Sequence, residues 1–156
     1  MFEKLDNPKS IKDTAWTWKI LKNVYLCSPT DNIKIVLKDM KENLYTHVPV
    51  YDWENYIWTI SESSIAYWLS DHIDEDNNII FENITVNDVV NYSKWNDWVV
   101  FIWQHYPLHE LEYVFYKALE NWERVWIILI TNLGKIDEKP IGIVTARDLP
   151  RIKDLL

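Results

Sequence analysis

Residues 29–51 read PTDNIKIVLKDMKENLYTHVPVY, and residues 107–129 read PLHELEYVFYKALENWERVWIIL. At a spacing of 78, Pro29 falls on Pro107, Ile33 on Leu111, and Val36-Leu37 on Val114-Phe115. Met40 then falls on Ala118, Asn43 on Asn121 and Val50 on Ile128. In both stretches apolar residues three and four apart mark one face of a helix, and a short β-branched run follows. Downstream, the segment Asn132 to Lys139 adds six residues, so the spacing becomes 84. Ile57 then matches Ile141, Ser61 matches Thr145 and Ser64 matches Asp148. A strand-helix-strand-strand-helix order is therefore expected twice. Neither half has strands enough to bury both faces of its own sheet, so the halves are expected to pack on each other.

Outward from this core, apolar spacing predicts a helix from Ser10 to Leu21 and a short strand from Val24 to Leu26. Ser28-Pro29-Thr30-Asp31 reads as a turn and cap before the helix that opens at Ile33. Strands are predicted at His47 to Tyr51 and Tyr56 to Ile60, with a helix from about Ser61 to Leu69. The polar stretch Asp71 to Asn78 reads as a connector, followed by a short helix over Thr85 to Tyr92. The second round predicts strands at Trp98 to Trp103, Val125 to Thr131 and Ile141 to Val144, a helix after Pro107, and a closing helix over Ala146 to Ile152. The chain thus divides into an N-terminal helix (1–22), a first repeat (23–70), a connector with a short helix (71–97) and a second repeat (98–156).

Composition narrows the function. The formal charge of −8 argues against a nucleic-acid backbone as partner, because counterion release needs clustered Lys and Arg. It equally disfavours an anionic membrane surface. Two glycines in 156 residues exclude a GxGxxG dinucleotide loop and a Walker A loop. Cys27 is the single cysteine, so no intrachain disulfide forms and a reducing, cytoplasmic setting is expected. The N-terminus lacks a signal-peptide pattern, and the longest apolar runs, Trp98 to Trp103 and Val125 to Ile130, are too short to span a bilayer. Ten Trp imply large core or interface surfaces, and Trp16 with Trp18 are candidates for packing a dimer partner.

Two segments carry a family resemblance: His47-Val48-Pro49-Val50-Tyr51-Asp52 in the first half and Gly142-Ile143-Val144-Thr145-Ala146-Arg147-Asp148 in the second. Within this repeat the chain resembles a tandem pair of CBS (cystathionine-β-synthase) domains, a Bateman module, over roughly residues 20–152. The resemblance implies an α/β (α+β) fold of two β-α-β-β-α repeats packed sheet to sheet with pseudo-twofold symmetry. It also implies a homodimer and two clefts that hold AMP, ADP, ATP, S-adenosylmethionine or a cyclic dinucleotide. No cofactor is required and no enzymatic activity is implied.

By the same resemblance Thr145 would bond phosphate or ribose, Asp148 the ribose hydroxyls, and Arg147 a phosphate. A hydroxyl where a strand hands over to a helix sits among free N–H groups, which suits an anion. Val100, Phe101, Ile102 and Ile127 would line the adenine slot, with Trp103 or Trp126 able to stack on the base. The first half departs from the pattern. Trp58 replaces the glycine, Ser64 replaces the Asp, and Ser61 keeps the hydroxyl beside His47, so this second cleft is expected to be degenerate.

Each of these residues also has a structural reading. Thr145 and Asp148 form an ordinary helix cap with a first-turn acid. His47 suits a half-buried histidine, and Cys27 a small buried hydrophobe. His105 and His109 have metal-ligand spacing, but Pro107 between them interrupts a helix and no third ligand is evident. Asp74-x-Asp76-x-Asn78 begins like a calcium loop, yet Ile79 and Thr85 stand where Gly and Glu are needed. Two functions remain open: a non-catalytic adenine-nucleotide sensor read by an effector protein, or a ligand-free CBS pair serving oligomerisation or partner docking.

Overall fold

A computed structural model describes residues 23–76, 78–79, 81–92, 97–120 and 124–154, with the backbone alone at Asp97, Trp98, Arg124 and Trp126. The predicted helix over Ser10 to Leu21, with Trp16 and Trp18, lies outside the described residues. The fold is mixed α+β, with one two-stranded and one three-stranded sheet among the described residues. The chain divides into two compact units, one of them Tyr25–Asp97 and the other containing Trp98–Leu156.

In the Tyr25–Asp97 unit, helix α1 (Ile33–Asn43) is capped by Asn32, whose Oδ1 accepts the Lys34 N–H at 2.9 Å. The cap thus lies one residue beyond the predicted SPTD turn. Within that turn, Asp31 instead accepts the Ser28 N–H at 2.8 Å. Ile33, Val36 and Met40 form the buried stripe of α1. Strands β1 (His47–Asp52) and β2 (Asn55–Ser61) make an antiparallel hairpin, and helix α2 (Glu62–His72) follows directly. The strand predicted at Val24 to Leu26 is reduced to one parallel bridge, Cys27 to Val50. Cys27 donates to Pro49 O at 3.1 Å, and the Tyr51 N–H returns to Cys27 O at 2.9 Å.

The connector is part of this unit. Helix α3 (Val86–Val90) buries Val86 and Val89 in the same core as Ile33, Val48, Ile60 and Trp68. Its lead-in is bonded to the start of α1: Ile33 N–H to Ile84 O, Val86 N–H to Asp31 O, and Asn87 N–H to Pro29 O, all within 3.0 Å. Trp68 is 1% exposed, stacked on His72 at 4.5 Å and tilted against Phe81 at 5.7 Å. The Tyr25–Asp97 unit thus takes in Phe81, Ile84, Val86 and Val89, which need this core to leave water.

The other unit arranges β3 (Asp97–Trp103), β4 (Arg124–Thr131) and β5 (Gly142–Thr145) as a sheet in the order β3-β4-β5. A 3-10 turn at Leu108–Glu110 leads into helix α4 (Leu111–Glu120), and another at Ala146–Asp148 into helix α5 (Leu149–Lys153). Its core is largely aliphatic: Ile102, Leu108, Leu111, Phe115, Ile128, Ile130, Val144 and Ile152.

The two hairpins correct one detail of the repeat. His47 pairs with Ser61, and Ile127 pairs with Thr145. Val48 opposite Ile60 is therefore equivalent to Ile128 opposite Val144, which sets the strand spacing at 80. Val50 matches Ile130 rather than Ile128. A helix match at 78 and a strand match at 80 are both satisfied because the intervening loop absorbs two residues. A single-residue slip would have turned every buried side chain outward, whereas a two-residue slip keeps the face and so hides in the apolar pattern.

Candidate functional site

Each hairpin hands its last strand to a helix through a hydroxyl residue, and these two junctions can be compared atom by atom with a third helix start, at Thr85. At Thr145 the backbone N–H donates to Asp148 Oδ2 at 2.8 Å and the hydroxyl donates to the same oxygen at 3.0 Å. Thr145 and Asp148 are both half-buried. Asp148 Oδ1 has no partner among the described residues. Arg147 beside it is exposed and makes no ion pair among the described residues.

At Ser61 the arrangement is closed. The Ser61 N–H donates to Ser64 Oγ at 2.9 Å, Ser64 Oγ donates to Ser61 O at 2.8 Å, and the Ser64 N–H donates to Ser61 Oγ at 3.1 Å. Ser61 and Ser64 are 2% and 1% exposed. Every polar atom of this small box is used internally, as burial demands. Trp58, where the second repeat has Gly142, is half-buried on β2.

Thr85 and Asp88 form the third helix start. The Thr85 N–H and hydroxyl both donate to Asp88 Oδ2 at 2.8 Å. These hydrogen bonds hold the Asp88 carboxyl below its ordinary range, the Thr85 backbone N–H contributing most. This T-x-x-D stands in the sequence as plainly as the one at 145–148, in a segment whose role is to cap α3. The bonds between Thr145 and Asp148 are thus those of a cap. What they leave over is a fixed carboxylate with one oxygen unspent.

The apolar residues predicted around the adenine separate onto two faces. Val100 and Ile102 alternate with Phe101 along β3, and Ile102 is a member of the core while Val100 packs against it. The three cannot line one slot. Phe101 is half-buried, and Ile127, opposite Thr145 in the register, is fully buried. Ile127 is therefore the apolar candidate that the register places beside the junction. Trp103 is 47% exposed, its ring 5.2 Å from that of His105, and the Trp126 side chain lies outside what is described.

His47 accompanies the closed junction. Its Nδ1 lies 2.8 Å from Thr46 Oγ1, and burial pushes its pKa down to about 4, so it is neutral at pH 7. Burial raises the Cys27 thiol to about 12, so it is no nucleophile. Asp74 Oδ1 accepts the N–H groups of Asp76 and Asn78 at 3.0 and 2.7 Å, a turn made by the residues that imitate a calcium loop. No group of three or more His, Cys, Asp or Glu among the described residues is placed to hold a metal, and no described helix is long and apolar enough to cross a membrane.

The architecture has clear counterparts among solved structures. A CBS domain protein, NE2398, matches with a TM-score of 0.64 at 14% identity, over 94% of this chain and 98% of its own. CBSX2, solved in complex with AMP, matches with a TM-score of 0.60 at 14% identity, over 93% and 96%. The CBS domain pair of protein MJ0100, solved with 5-methylthioadenosine and S-adenosyl-L-methionine, matches with a TM-score of 0.56 at 16% identity, over 95% and 98%. No protein-family model matches the sequence, and no curated protein does. The chain has the tandem CBS fold.

Proposed function

We propose that this protein is a non-catalytic regulatory CBS pair that binds an adenine nucleotide at the Thr145–Asp148 junction. The observation that carries the reading is the spare oxygen of Asp148, held by Thr145 at a half-buried strand-to-helix turn. A carboxylate so fixed accepts from vicinal ribose hydroxyls without paying to order itself. Arg147, exposed and without an ion pair among the described residues, is a cation available for phosphate. Ile127, opposite Thr145 in the register, is the buried apolar residue behind the junction. Two proteins of this fold were solved with adenine-containing ligands, which makes the ligand class a reasonable one to test. The Ser61–Ser64 junction has no unspent acceptor and is assigned no ligand.

In this reading the protein acts in the cytoplasm as a homodimer, and ligand shifts the balance of its arrangements for an effector protein to read. The shift can be no larger than the ligand's differential affinity for those arrangements. Exposed Tyr113, Tyr116 and Leu119 along α4 support self-association. A second reading, a ligand-free docking module, is favoured by the likeness of the 145–148 bonds to the purely structural ones at 85–88.

Calorimetric and thermal-shift titration with AMP, ADP, ATP, S-adenosylmethionine and cyclic di-adenylate separates the two. A ligand at about 100 times its Kd stabilises the fold by roughly 2.7 kcal/mol. The sensor reading expects one ligand to bind, Asp148→Ala to lose it, and Ser64→Ala to retain it. Absence of binding by all five, with Asp148→Ala behaving as the parent does, leaves the docking reading in its place.

A further inference from the structure

The tip of the first hairpin is costly in a way that folding does not explain. Asp52 pairs with Asn55, leaving a two-residue turn of Trp53 and Glu54 in which Trp53 has φ +56°. That is the turn position where glycine is cheapest, and a bulky side chain there is strained. Trp53 is also 86% exposed, so its ring returns almost no burial energy for that strain. Beside it opens a cavity of about 500 Å³ lined by Ser28, Pro29, Thr30, Tyr51, Asp52 and Trp53. No Lys or Arg lines it among the described residues. The Asp52 and Glu54 carboxylates have no partner among the described residues, while Asp31 is already committed to Ser28.

We infer that this cavity receives an arginine side chain from a partner protein. A guanidinium is flat, so it stacks on the face of Trp53 and still presents paired N–H groups to the Asp52 carboxylate. The Ser28 and Thr30 hydroxyls, 3.2 Å apart, offer further acceptors at the wall. Asp52 is the only charged side chain among the described lining residues, so the lining repels an anion. The overall charge of −8 adds an attraction of the same sign. The site is independent of the Thr145–Asp148 junction, and its test does not depend on nucleotide binding.

The full chain is titrated with acetyl-Gly-Arg-Gly-amide and with the same peptide carrying citrulline, which keeps the shape and removes the charge. The indole N–H NMR signal of Trp53, assigned by its loss in Trp53→Phe, is followed. The expected result is a saturable shift with Kd on the order of millimolar for arginine, and at least about threefold weaker binding for citrulline. Asp52→Asn weakens the arginine peptide by about threefold or more, while Glu42→Gln, an exposed acid on α1, leaves it unchanged. Trp53→Gly abolishes binding with a Tm no lower than the parent's, since glycine relieves the turn. Equal binding of citrulline, equal loss in Glu42→Gln, or a lowered Tm in Trp53→Gly overturns the inference. So does a Trp53 signal that moves with adenosine, which makes the cavity a nucleoside site, or with protein concentration alone, which makes the occupant a second copy.

Discussion

The two hairpin-to-helix junctions of the repeat use one backbone plan for opposite ends. At Ser61–Ser64 the donors and acceptors close on one another, behind a wall that leaves both residues at 2% exposure or less. At Thr145–Asp148 the longer, charged side chain makes the same bond to the strand's last N–H and keeps an oxygen over. The cores diverge in parallel. The first is keyed by Trp68 with its stacked His72 and by α3, the second by aliphatic side chains and Phe115. In one copy of the duplicated fold the junction is made of neutral side chains that close on one another, and in the other of a carboxylate that keeps one oxygen over.

The largest test of this division is Trp68→Ala. Removing a 1%-exposed indole from the first core is expected to cost about 3–5 kcal/mol in urea unfolding, against a total near 5–15 kcal/mol for such a domain. A loss below about 1 kcal/mol would mean that Trp68 is not the keystone.

Next comes pH. His47 belongs to the first repeat, and its counterpart in the second register is Ile127, which cannot titrate. The folded pKa of about 4 lies below the ordinary 6.5, so the unfolded chain binds the proton more tightly. Stability from this residue is complete above pH 6.5 and is lost as pH falls from there through 4. The full span is up to about 3 kcal/mol. Between pH 6.5 and 4 the stability of the parent should fall more steeply than that of His47→Gln, which lacks the titrating group. Identical slopes between pH 6.5 and 4 would remove His47 as the source.

Ser64→Ala leaves the Ser61 N–H and carbonyl without their partners in a buried site, and is expected to cost about 1–3 kcal/mol by denaturant titration. Asp148→Ala, at the half-exposed junction, loses only a cap and is expected to cost about 1 kcal/mol. The comparison is sharpened if the serine variant is the more damaging to stability while the aspartate variant alone alters nucleotide binding. A reversed order of stability losses would break it.

Much of the fold is legible in the residues because the helix and strand periods are written into the apolar positions. Ile33, Val36 and Met40, and likewise Leu111, Phe115 and Ala118, are buried where the helical stripe puts them. The strand register is less legible. A shift of two residues preserves which side chains face inward, so only the hydrogen-bond pairing distinguishes Ile128 from Ile130 as the partner of Val50's position. The candidate site is legible to the same extent. T-x-x-D marks a helix start at 85–88 and at 145–148 alike, and says nothing about which carboxylate is left with a free oxygen in a half-buried setting.

By itself, then, the sequence determined the duplication, the element order, the two apolar stripes and the loss of the Asp at Ser64. These follow from side-chain identity and local periodicity, which act over one or two turns of chain. Only the tertiary structure decided that Phe81, Ile84, Val86 and Val89 pack into the first core, that Val100 and Ile102 face that of the second, and that Trp53 stands exposed at a strained turn. These depend on which distant surfaces exclude water from one another, a free energy that no local window of residues contains.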